Sequence, residues 1–396
     1  MSRVIYLDNN ATTGVAPEIF HEIEPYFCNL YGNPSSMHRF GGEVGVKIKN
    51  AREQVAQTLG CLSEEIIFTA CGTESDNTAI WSALETQPEK RHIITTKAEH
   101  PAVLLLCNYL EKKKGYRVTY LPVNSYGELD LNQLKTNIQK DTAIISVMWA
   151  NNETGVIFPV EEIAEIAKEE NILFHTDAVQ IVGKIPINLK NTSIDMLSLS
   201  GHKLHAPKGV GALFIRKSVP FNPFIIGGHQ EAGRRAGTEN TAGIIALGLA
   251  CELANQKIRE ENLMVRTLRD KLENGILASI PNSRLNGSKD KRLPNTSNIS
   301  FGYVEGEAIL LMLDELGICA SSGSACTSGS LEPSHVLRAM GVPFTYAHGS
   351  IRFSLSRYNT EKEIDFVLEH LPPIIAKLRE ISPFSYEDKP DIIQCH

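Results

Sequence analysis

The order of apolar and amphipathic segments predicts an α/β fold, with a mainly parallel sheet flanked by helices and a smaller α+β domain at the C-terminal end. Between residues 44 and 219, strand-like apolar runs alternate with helical segments of about 10 to 15 residues, a spacing typical of parallel crossover units. After Leu253 the sequence pattern changes, and it predicts a long polar helix. Its apolar face carries Leu268, Leu272, Ile276 and Ile280, spaced four residues apart.

The individual elements follow from these patterns in chain order. In the first part, strands are predicted at 65–69, 92–96, 117–122, 143–148, 172–176 and 195–200, and helices at 44–59, 74–84, 102–113 and 160–170. In the second part, strands are predicted at 298–301 and 350–354 and a helix at 306–315. We therefore expect a large domain at 16–255, a small domain made of 1–15 and 256–385, and a tail at 386–396.

Composition excludes several classes of partner. The 396 residues carry a formal net charge of -7 and a pI near 6.0, which argues against nucleic acid or an anionic membrane as the main partner. We find neither an export signal nor a run of about 18 apolar residues, so a cytoplasmic protein is expected. The eight cysteines include no C-x-x-C pair, so the sequence predicts neither a disulfide framework nor a metal site.

One of these cysteines lies in unusual surroundings. Cys326 is embedded in the run 321–330, whose other members are small or hydroxylated residues, including two glycines. Such a segment buries little apolar surface, so the thiol is expected on a solvent-reachable loop. A cysteine packed as a small hydrophobic residue is the commoner case, but it sits among Leu, Val and Ile. The pattern therefore favours a reactive thiol.

Polar side chains follow two of the predicted strands at their carboxyl ends, where ligands bind in parallel sheets. Asp177 ends one apolar strand and Gln180 follows it; a buried carboxylate there needs a cationic partner, although Asp is also a common helix cap. Lys203 ends another strand before a glycine-rich turn. Desolvation at such a position makes a lysine amine nucleophilic toward an aldehyde, whereas an ordinary loop lysine is the simpler alternative.

Three further segments end near the same edge. Gly72 and Thr73 begin a helix after a strand, which offers free N–H groups to a phosphate, although capping alone would use similar residues. His100 follows the next strand and could stack on an aromatic ring or move a proton. Asn152 lies in a turn at this edge.

Taken together, these segments resemble the pyridoxal-phosphate-dependent cysteine desulfurases over nearly the whole chain. The motifs that carry the resemblance are 6–13, 32–36, 200–203, 234–240, the Cys326 loop and 350–354. The cysteine loop, 71–75 and 149–152 are similar to the nitrogen-fixation (NifS-type) branch. The resemblance implies the fold of fold-type I pyridoxal-phosphate transferases, similar to aspartate aminotransferase.

The resemblance also implies a role for each candidate residue. Lys203 would bind the cofactor covalently and move the substrate α-proton, and Asp177 would keep the pyridine nitrogen protonated. Cys326 would accept the substrate sulfur. Around the cofactor ring, His100 would stack on the face, Gln180 would bind the ring hydroxyl group, and Asn152 would lie beside the ring. The phosphate would be bound by four residues of this chain and one from a second subunit: Gly72, Thr73, Ser200 and His202, with Thr238 from the second subunit. Arg352, Asn152 and Asn33 would bind the substrate, with Arg352 holding its carboxylate.

By the same resemblance, the expected partners are L-cysteine, a second copy of the chain in a homodimer, and an iron-sulfur scaffold protein that accepts the sulfur, with nitrogenase maturation as its use. Two alternatives stay open: a selenocysteine lyase, or another pyridoxal-phosphate enzyme of the aminotransferase fold, which would have no use for the Cys326 loop. The tail to Cys395 and His396 does not resemble the C-terminus by which housekeeping relatives engage their scaffold.

Overall fold

A computed structural model describes residues 4–322 and 333–382; Cys326 and the predicted tail therefore lie outside the described residues. The elements are β1 (Ile5–Tyr6), α1 (Pro17–Ile23), α2 (Pro25–Cys28), α3 (Arg39–Leu59), β2 (Ile66–Thr69), α4 (Gly72–Glu85), β3 (His92–Thr96), α5 (Pro101–Lys114), β4 (Arg117–Leu121), α6 (Leu131–Asn137), β5 (Thr142–Ser146), α7 (Val160–Glu169), β6 (Leu173–Asp177), β7 (Met196–Ser200), β8 (Gly211–Ile215), α8 (Thr241–Ser279), β9 (Ser283–Leu285), β10 (Thr296–Phe301), α9 (Gly306–Glu315), β11 (Ile318–Cys319), α10 (His335–Ala339), α11 (Phe344–Ala347), β12 (Ser350–Ser354) and α12 (Glu361–Ile381).

The central sheet has seven strands in the order β2-β8-β7-β6-β5-β3-β4. All neighbours are parallel except β8, which runs antiparallel to both β2 and β7. Every residue of β2, β3, β5, β7 and β8 is buried, because helices cover both faces of the sheet. The predicted mainly parallel sheet is confirmed, and β8 is a strand that the sequence analysis did not predict.

Local signals in the sequence fix several helix ends. Thr360 and Glu363 form a reciprocal capping box at the start of α12. Gly60 ends α3 with a left-handed φ of 63°, which a residue without Cβ adopts at little cost. These signals define the start of α12 and the end of α3.

A separate, smaller core lies outside the central sheet. It is built around the antiparallel sheet β12-β10-β9 and the parallel pair β1-β11, with α9, α12 and the second half of α8 packed against them. Ile5 and Leu7 belong to this core, so the first strand of the chain returns to the C-terminal region. Arg352 on β12 comes from this sheet.

Helix α8 joins the two cores. It has 39 residues, begins well before the polar stretch that predicted it, and ends at Ser279, so that Ile280 caps it rather than belonging to it. Its first half packs in the large core, and Leu268, Leu272 and Ile276 pack in the small one. The boundary predicted between 255 and 256 falls inside this helix, and the division into domains stays a prediction. Among the helices of the described ranges, none is both long and apolar enough to cross a membrane.

Candidate active site

A cavity of about 240 Å³ lies at the carboxyl ends of the central strands, next to β12 of the second sheet. Most of the predicted site residues line it: Gly72, Thr73, His100, Asn152, Asp177, Gln180, Ser200, His202, Lys203 and Arg352. It is also lined by Asn10 and Asp76, which sequence reasoning missed. Asn10 follows the first strand and Asp76 lies inside a helix, and neither position carries a strand-end signal. Asn33 and Thr238 are exposed and do not line the cavity within this chain.

The start of α4 forms one end of the cavity. Cys71 is its N-cap residue and makes no side-chain capping hydrogen bond, so the first N–H groups of the helix are not capped by that side chain. A Cβ added to Gly72 would lie 2.8 Å from Cγ2 of Val179, so only glycine allows this close approach. The buried Oγ of Ser200 has no hydrogen-bond partner among the residues of the described ranges. An anion at this helix start would be bound by both the N–H groups and that hydroxyl group.

Asp177 ends β6 and lies on the cavity wall. It is buried, and its Oδ1 accepts the Val179 N–H at 2.9 Å. Burial raises the pKa of Asp177 above its ordinary value, while the hydrogen bond from Val179 and the charge of Lys203 act in the opposite direction. A carboxylate in this position is stabilised by a cation or a strong proton donor in the cavity.

A second buried carboxyl group lies behind Asp177. Burial, followed by the charge of Asp177, raises the pKa of Asp76 well above its ordinary value. Its Oδ1 has no hydrogen-bond partner in the described part of the chain and lies 3.6 Å from Nε2 of His175. Burial lowers the pKa of His175 to about 3, so its ring is neutral and does not neutralise Asp76. Two carboxyl groups therefore share one wall, and the charge of Asp177 favours the neutral, protonated form of Asp76.

Lys203 lies in a short 3-10 turn that follows β7 directly. Its Nζ donates to the carbonyl oxygens of Asn10 and Ala11, both at 2.6 Å. A Cβ on Gly201 would lie 2.9 Å from Val210, so the turn is closely packed against the next segment. The amine is thus held on the same cavity as Asp177.

The two histidines of the cavity are neutral. His100 caps α5, and its Nδ1 accepts the Ala102 N–H at 3.1 Å, which leaves the ring proton on Nε2. Burial lowers the pKa of His100. Burial, aided by Lys203, also lowers the pKa of His202 to about 4, and its Nδ1 lies 3.1 Å from the Thr12 hydroxyl group. Both rings can donate or accept a hydrogen bond without adding charge.

Arg352 brings a buried cation to the other side of the cavity. Its Nη2 donates to Oδ1 of Asp8 at 2.7 Å, and its Nη1 donates to the carbonyl oxygen of Asn152 at 3.1 Å. Its Nε has no hydrogen-bond partner within residues 4–322 and 333–382. The guanidinium group therefore has unused donor capacity on the cavity wall and already holds one carboxylate of the protein.

Both segments that flank residues 323–332 contact this site. Ser321 and Arg352 exchange two backbone hydrogen bonds, of 3.2 and 2.6 Å. On the other side, the Ser334 hydroxyl group donates to Glu153, and Nε2 of His335 donates to the carbonyl oxygen of Glu99 at 2.9 Å. Glu153 and Glu99 adjoin Asn152 and His100 in the chain. The segments before and after the predicted Cys326 loop are therefore hydrogen-bonded to Arg352 and to the neighbours of Asn152 and His100.

Burial changes the protonation of these two glutamates. It raises the pKa of Glu99 to about 8 and that of Glu153 to about 7. Glu99 accepts hydrogen bonds from the Thr96 hydroxyl group and the Met148 N–H. Sequence reasoning did not find either residue, because nothing in the local pattern distinguishes them from exposed glutamates.

The loop that carries Thr238 is tied to the back of α4. Arg235 pairs with Glu74 in the first turn of this helix at 2.8 Å, and Arg52 pairs with the buried Glu231 at 2.5 Å. Glu231 has a left-handed φ of 49°, an uncommon conformation for a residue with a side chain. The loop is therefore held in a defined position, with Thr238 exposed.

Comparison with known proteins identifies the family of the chain. Residues 5–367 match the family model described as aminotransferase class-V. "Cysteine desulfurase 2" of Trichormus variabilis is 61% identical over 391 residues, which cover 99% of this chain and 98% of the relative. "Cysteine desulfurase NifS" of Azotobacter vinelandii is 60% identical over 381 residues, covering 96% of this chain and 94% of the relative.

The solved structures lead to the same group. One described as "NIFS-like protein" has a TM-score of 0.89 and 41% identity, and the match covers 95% of this chain and 100% of the other. The resemblance to NifS-type cysteine desulfurases seen in the sequence motifs is confirmed, as is the fold that it implied. The chain belongs to the aminotransferase class-V family, in the group of its cysteine desulfurases.

Proposed function

We propose that this protein is a pyridoxal-phosphate-dependent cysteine desulfurase, which converts L-cysteine to L-alanine and passes the sulfur to Cys326 for iron-sulfur cluster assembly, including nitrogenase maturation. The observation that carries the proposal is the presence of Lys203 and Asp177 on one cavity, with an uncapped helix start and Arg352 at its borders. The close relatives named cysteine desulfurase support the same reaction.

The residues of the cavity fit the proposed cofactor. The hydroxyl group of Ser200, which lacks a partner in the described ranges, and the first N–H groups of α4, which the Cys71 side chain does not cap, suit a phosphate. The buried Asp177 carboxyl group suits a protonated ring nitrogen, and the Lys203 amine suits an aldehyde. When bound, pyridoxal phosphate supplies an electron sink for bonds broken at the substrate Cα and Cβ atoms.

On the substrate side, the protein has three tasks. Arg352 binds the L-cysteine carboxylate through donors that include its Nε. Lys203 moves the proton at the substrate Cα atom, and the neutral His100 can carry a proton at Nε2. Because these groups are fixed by short turns at strand ends, the reacting atoms are held in one arrangement.

Cys326 completes the reaction as sulfur acceptor. The carbon-sulfur bond of L-cysteine breaks, a sulfur-sulfur bond to Cys326 forms, and the carbon skeleton leaves as alanine, so no external oxidant is required. Burial raises the pKa of Cys61, Cys107 and Cys251 to about 12, so these thiols are poorly suited to the same role. A homodimer that shares Thr238 between sites, an iron-sulfur scaffold as acceptor and a cytoplasmic location are parts of this proposal.

The test measures products and spectra of the purified protein. Wild-type protein should be yellow, should change its visible spectrum on addition of L-cysteine, and should form alanine and sulfide in equal amounts when a thiol reductant is present. Cys326→Ala should keep the spectral change and lose sulfide release, whereas the control Cys28→Ala, at an exposed thiol, should behave as wild type. Colourless protein, or full desulfuration by Cys326→Ala, would refute the proposal. Parallel assays with L-selenocysteine and with keto acids test the two alternatives.

The shared site is tested by mixing inactive chains. Lys203→Ala and Thr238→Asp should each be inactive as homodimers, because one lacks the amine and the other brings a carboxylate to the phosphate. After dissociation and reassociation of an equal mixture, roughly a quarter of the sites should regain all native groups. An active monomer in sedimentation, or no recovery on mixing, would contradict the shared site.

A further inference from the structure

The carboxamide of Gln180 has a defined orientation. Its Nε2 donates to the carbonyl oxygen of Asn10 at 3.1 Å, and its Oε1 faces Nζ of Lys184 at 3.4 Å. The flipped amide would set its oxygen against the Asn10 carbonyl oxygen and its NH₂ group against the Lys184 amine, losing both interactions. The Asn10 carbonyl oxygen also accepts from Lys203, so the amide and the Lys203 amine share one acceptor.

This orientation determines what Gln180 offers to the cavity. The NH₂ group carries two hydrogens, of which one is used by Asn10, and the oxygen is directed to Lys184. Gln180 is buried and lines the cavity, so the remaining hydrogen is available to an acceptor there. The site therefore favours a ligand with an oxygen acceptor at this position over one with a hydrogen-bond donor.

Lys184 approaches Gln180 from the opposite side. It lines a separate cavity of about 60 Å³, and its Nζ also donates to the Gln180 carbonyl oxygen at 3.0 Å. The Lys184 carbonyl oxygen accepts from Nδ2 of Asn262 on α8 at 2.6 Å, which anchors the turn from the other side. The charged and titratable residues around this smaller cavity are Lys203, His205, Glu261 and Arg357, the last two paired at 2.5 Å.

The amine of Lys184 is a hydrogen-bond donor in both of its protonation states. Burial, followed by the charge of Lys203, lowers the pKa of Lys184 to about 7. The ammonium group has three donors and the neutral amine has two, and the two contacts to Gln180 require no more than two. Its effect on the amide therefore persists across neutral pH.

We propose that Lys184 is a positioning residue, which holds the Gln180 carboxamide with an N–H group available to the ring oxygen of the bound cofactor. The inference rests on the proposed function, because the ring oxygen belongs to pyridoxal phosphate. Lys184 does not line the cofactor cavity and acts through Gln180. Its loss should thus weaken the recognition of that oxygen and leave the rest of the cofactor unaffected.

The test compares two aldehydes bound to the apoprotein: pyridoxal 5′-phosphate and its 3-deoxy analogue, which lacks the ring oxygen. Lys184→Met, which keeps an unbranched side chain without a donor, should weaken binding of pyridoxal phosphate roughly tenfold, the effect of about one hydrogen bond. It should leave the affinity for the analogue unchanged. Lys184→Arg should restore much of the preference, and Lys184→Met combined with Gln180→Ala should equal Gln180→Ala alone.

The outcomes separate this inference from the proposed function. If wild-type apoprotein binds neither aldehyde, the proposed function fails and this inference fails with it. If wild type prefers pyridoxal phosphate and Lys184→Met weakens both aldehydes equally, the proposed function stands and the positioning role is wrong. Thermal unfolding of each apoprotein identifies a folding defect; if Lys184→Met does not fold, Lys184→Gln replaces it in the same comparison.

Discussion

The two walls of the cavity are built in different ways. The first, here called the cofactor wall, comprises Asp177, Ser200, Lys203 and the start of α4, and comes from the central sheet. The second, the substrate wall, comprises Arg352 and Asn152, with Arg352 on the antiparallel sheet and paired with Asp8 behind it. The cofactor wall presents the buried Asp177 carboxyl group, whose charged form needs a partner, whereas the cation of the substrate wall already has one in Asp8.

The two walls should therefore differ in the free energy with which they bind a ligand. A ligand on the cofactor wall gains from groups that are desolvated in advance, so binding there costs little further desolvation. A carboxylate on the substrate wall shares Arg352 with Asp8, so the net gain is smaller. Under the proposed function, we expect tight cofactor binding on the first wall and weaker, exchangeable substrate binding on the second.

The largest expected fall in kcat comes from a substitution on the cofactor wall. Lys203→Ala removes the amine that we propose attaches the cofactor and moves the α-proton, so kcat should fall by at least about 10²- to 10⁴-fold. Borohydride reduction followed by peptide mapping should find the pyridoxyl group on Lys203 in wild type and on no lysine in the variant. Lys208→Ala, at an exposed lysine nearby, is the matched control and should keep full activity. Label on Lys208 would remove Lys203 from its proposed role.

The next effect tests the demand of Asp177 for a positive partner. Asp177→Asn keeps the size of the side chain and removes its charge, so kcat should fall roughly 30-fold or more, equivalent to about 2 kcal/mol. Rapid-mixing measurements should show that the loss lies after substrate binding. Asp141→Asn, at a surface carboxylate paired with Arg117, should have no effect on kcat. An equal kcat in both variants would contradict the difference between the walls.

A smaller effect is expected on the substrate wall. Asp8→Asn removes the internal carboxylate, so the KM for L-cysteine should fall roughly fivefold, as expected from an ion pair worth about 1 kcal/mol. Arg352→Lys should raise KM instead, because it loses the planar fork of donors. A raised KM for Asp8→Asn would mean that Asp8 orients the guanidinium group more than it competes with substrate.

The last prediction concerns stability rather than catalysis and compares the acids behind the walls. Glu99 has a folded-state pKa of about 8 against an ordinary value of 4.5, so the folded state holds an extra proton between these values. Stability therefore falls as pH rises from about 4.5 to about 8, by at most about 1.4 kcal/mol per pH unit. Glu99→Gln should flatten this slope up to pH of about 8 and Glu153→Gln only up to about 7. Urea unfolding at a series of pH values measures the free energy of unfolding of both variants. Identical pH dependences for the two variants would contradict the different pKa values of Glu99 and Glu153.

The sequence predicted those parts of the molecule whose signals are local. Strands β3 and β12 and helix α9 agree with their predicted bounds, because turn residues or charges flank clear apolar patterns. Strand β8 was missed because it directly follows a glycine-rich turn. The first half of α8 was missed because it is buried on several sides and shows no polar face.

The same distinction holds for the site. Asp177 and Lys203 could be predicted from the pattern, because strand ends of a parallel sheet meet at one edge, whereas Ser200 was predicted from the resemblance. Asp8, Asn10 and the other missed residues act through contacts between segments far apart in the chain, which no local pattern encodes. Asn33 and Thr238 stay predictions, because neither lines the cavity within this chain and the proposed role of Thr238 depends on a second copy of the chain.

Helix α8 connects the two cores that lie behind the walls of the cavity. At about 1.5 Å per residue its 39 residues span about 58 Å, with one half in the core behind each wall. A Cβ on Gly248 would lie 2.6 Å from Ala51, and one on Gly275 would lie 2.5 Å from Leu368, so both halves are seated without slack. Because its two halves pack in the cores behind the two walls, we expect the helix to fix the distance between these walls. A methyl group added at either glycine should then change that distance, although both positions are remote from the cavity itself.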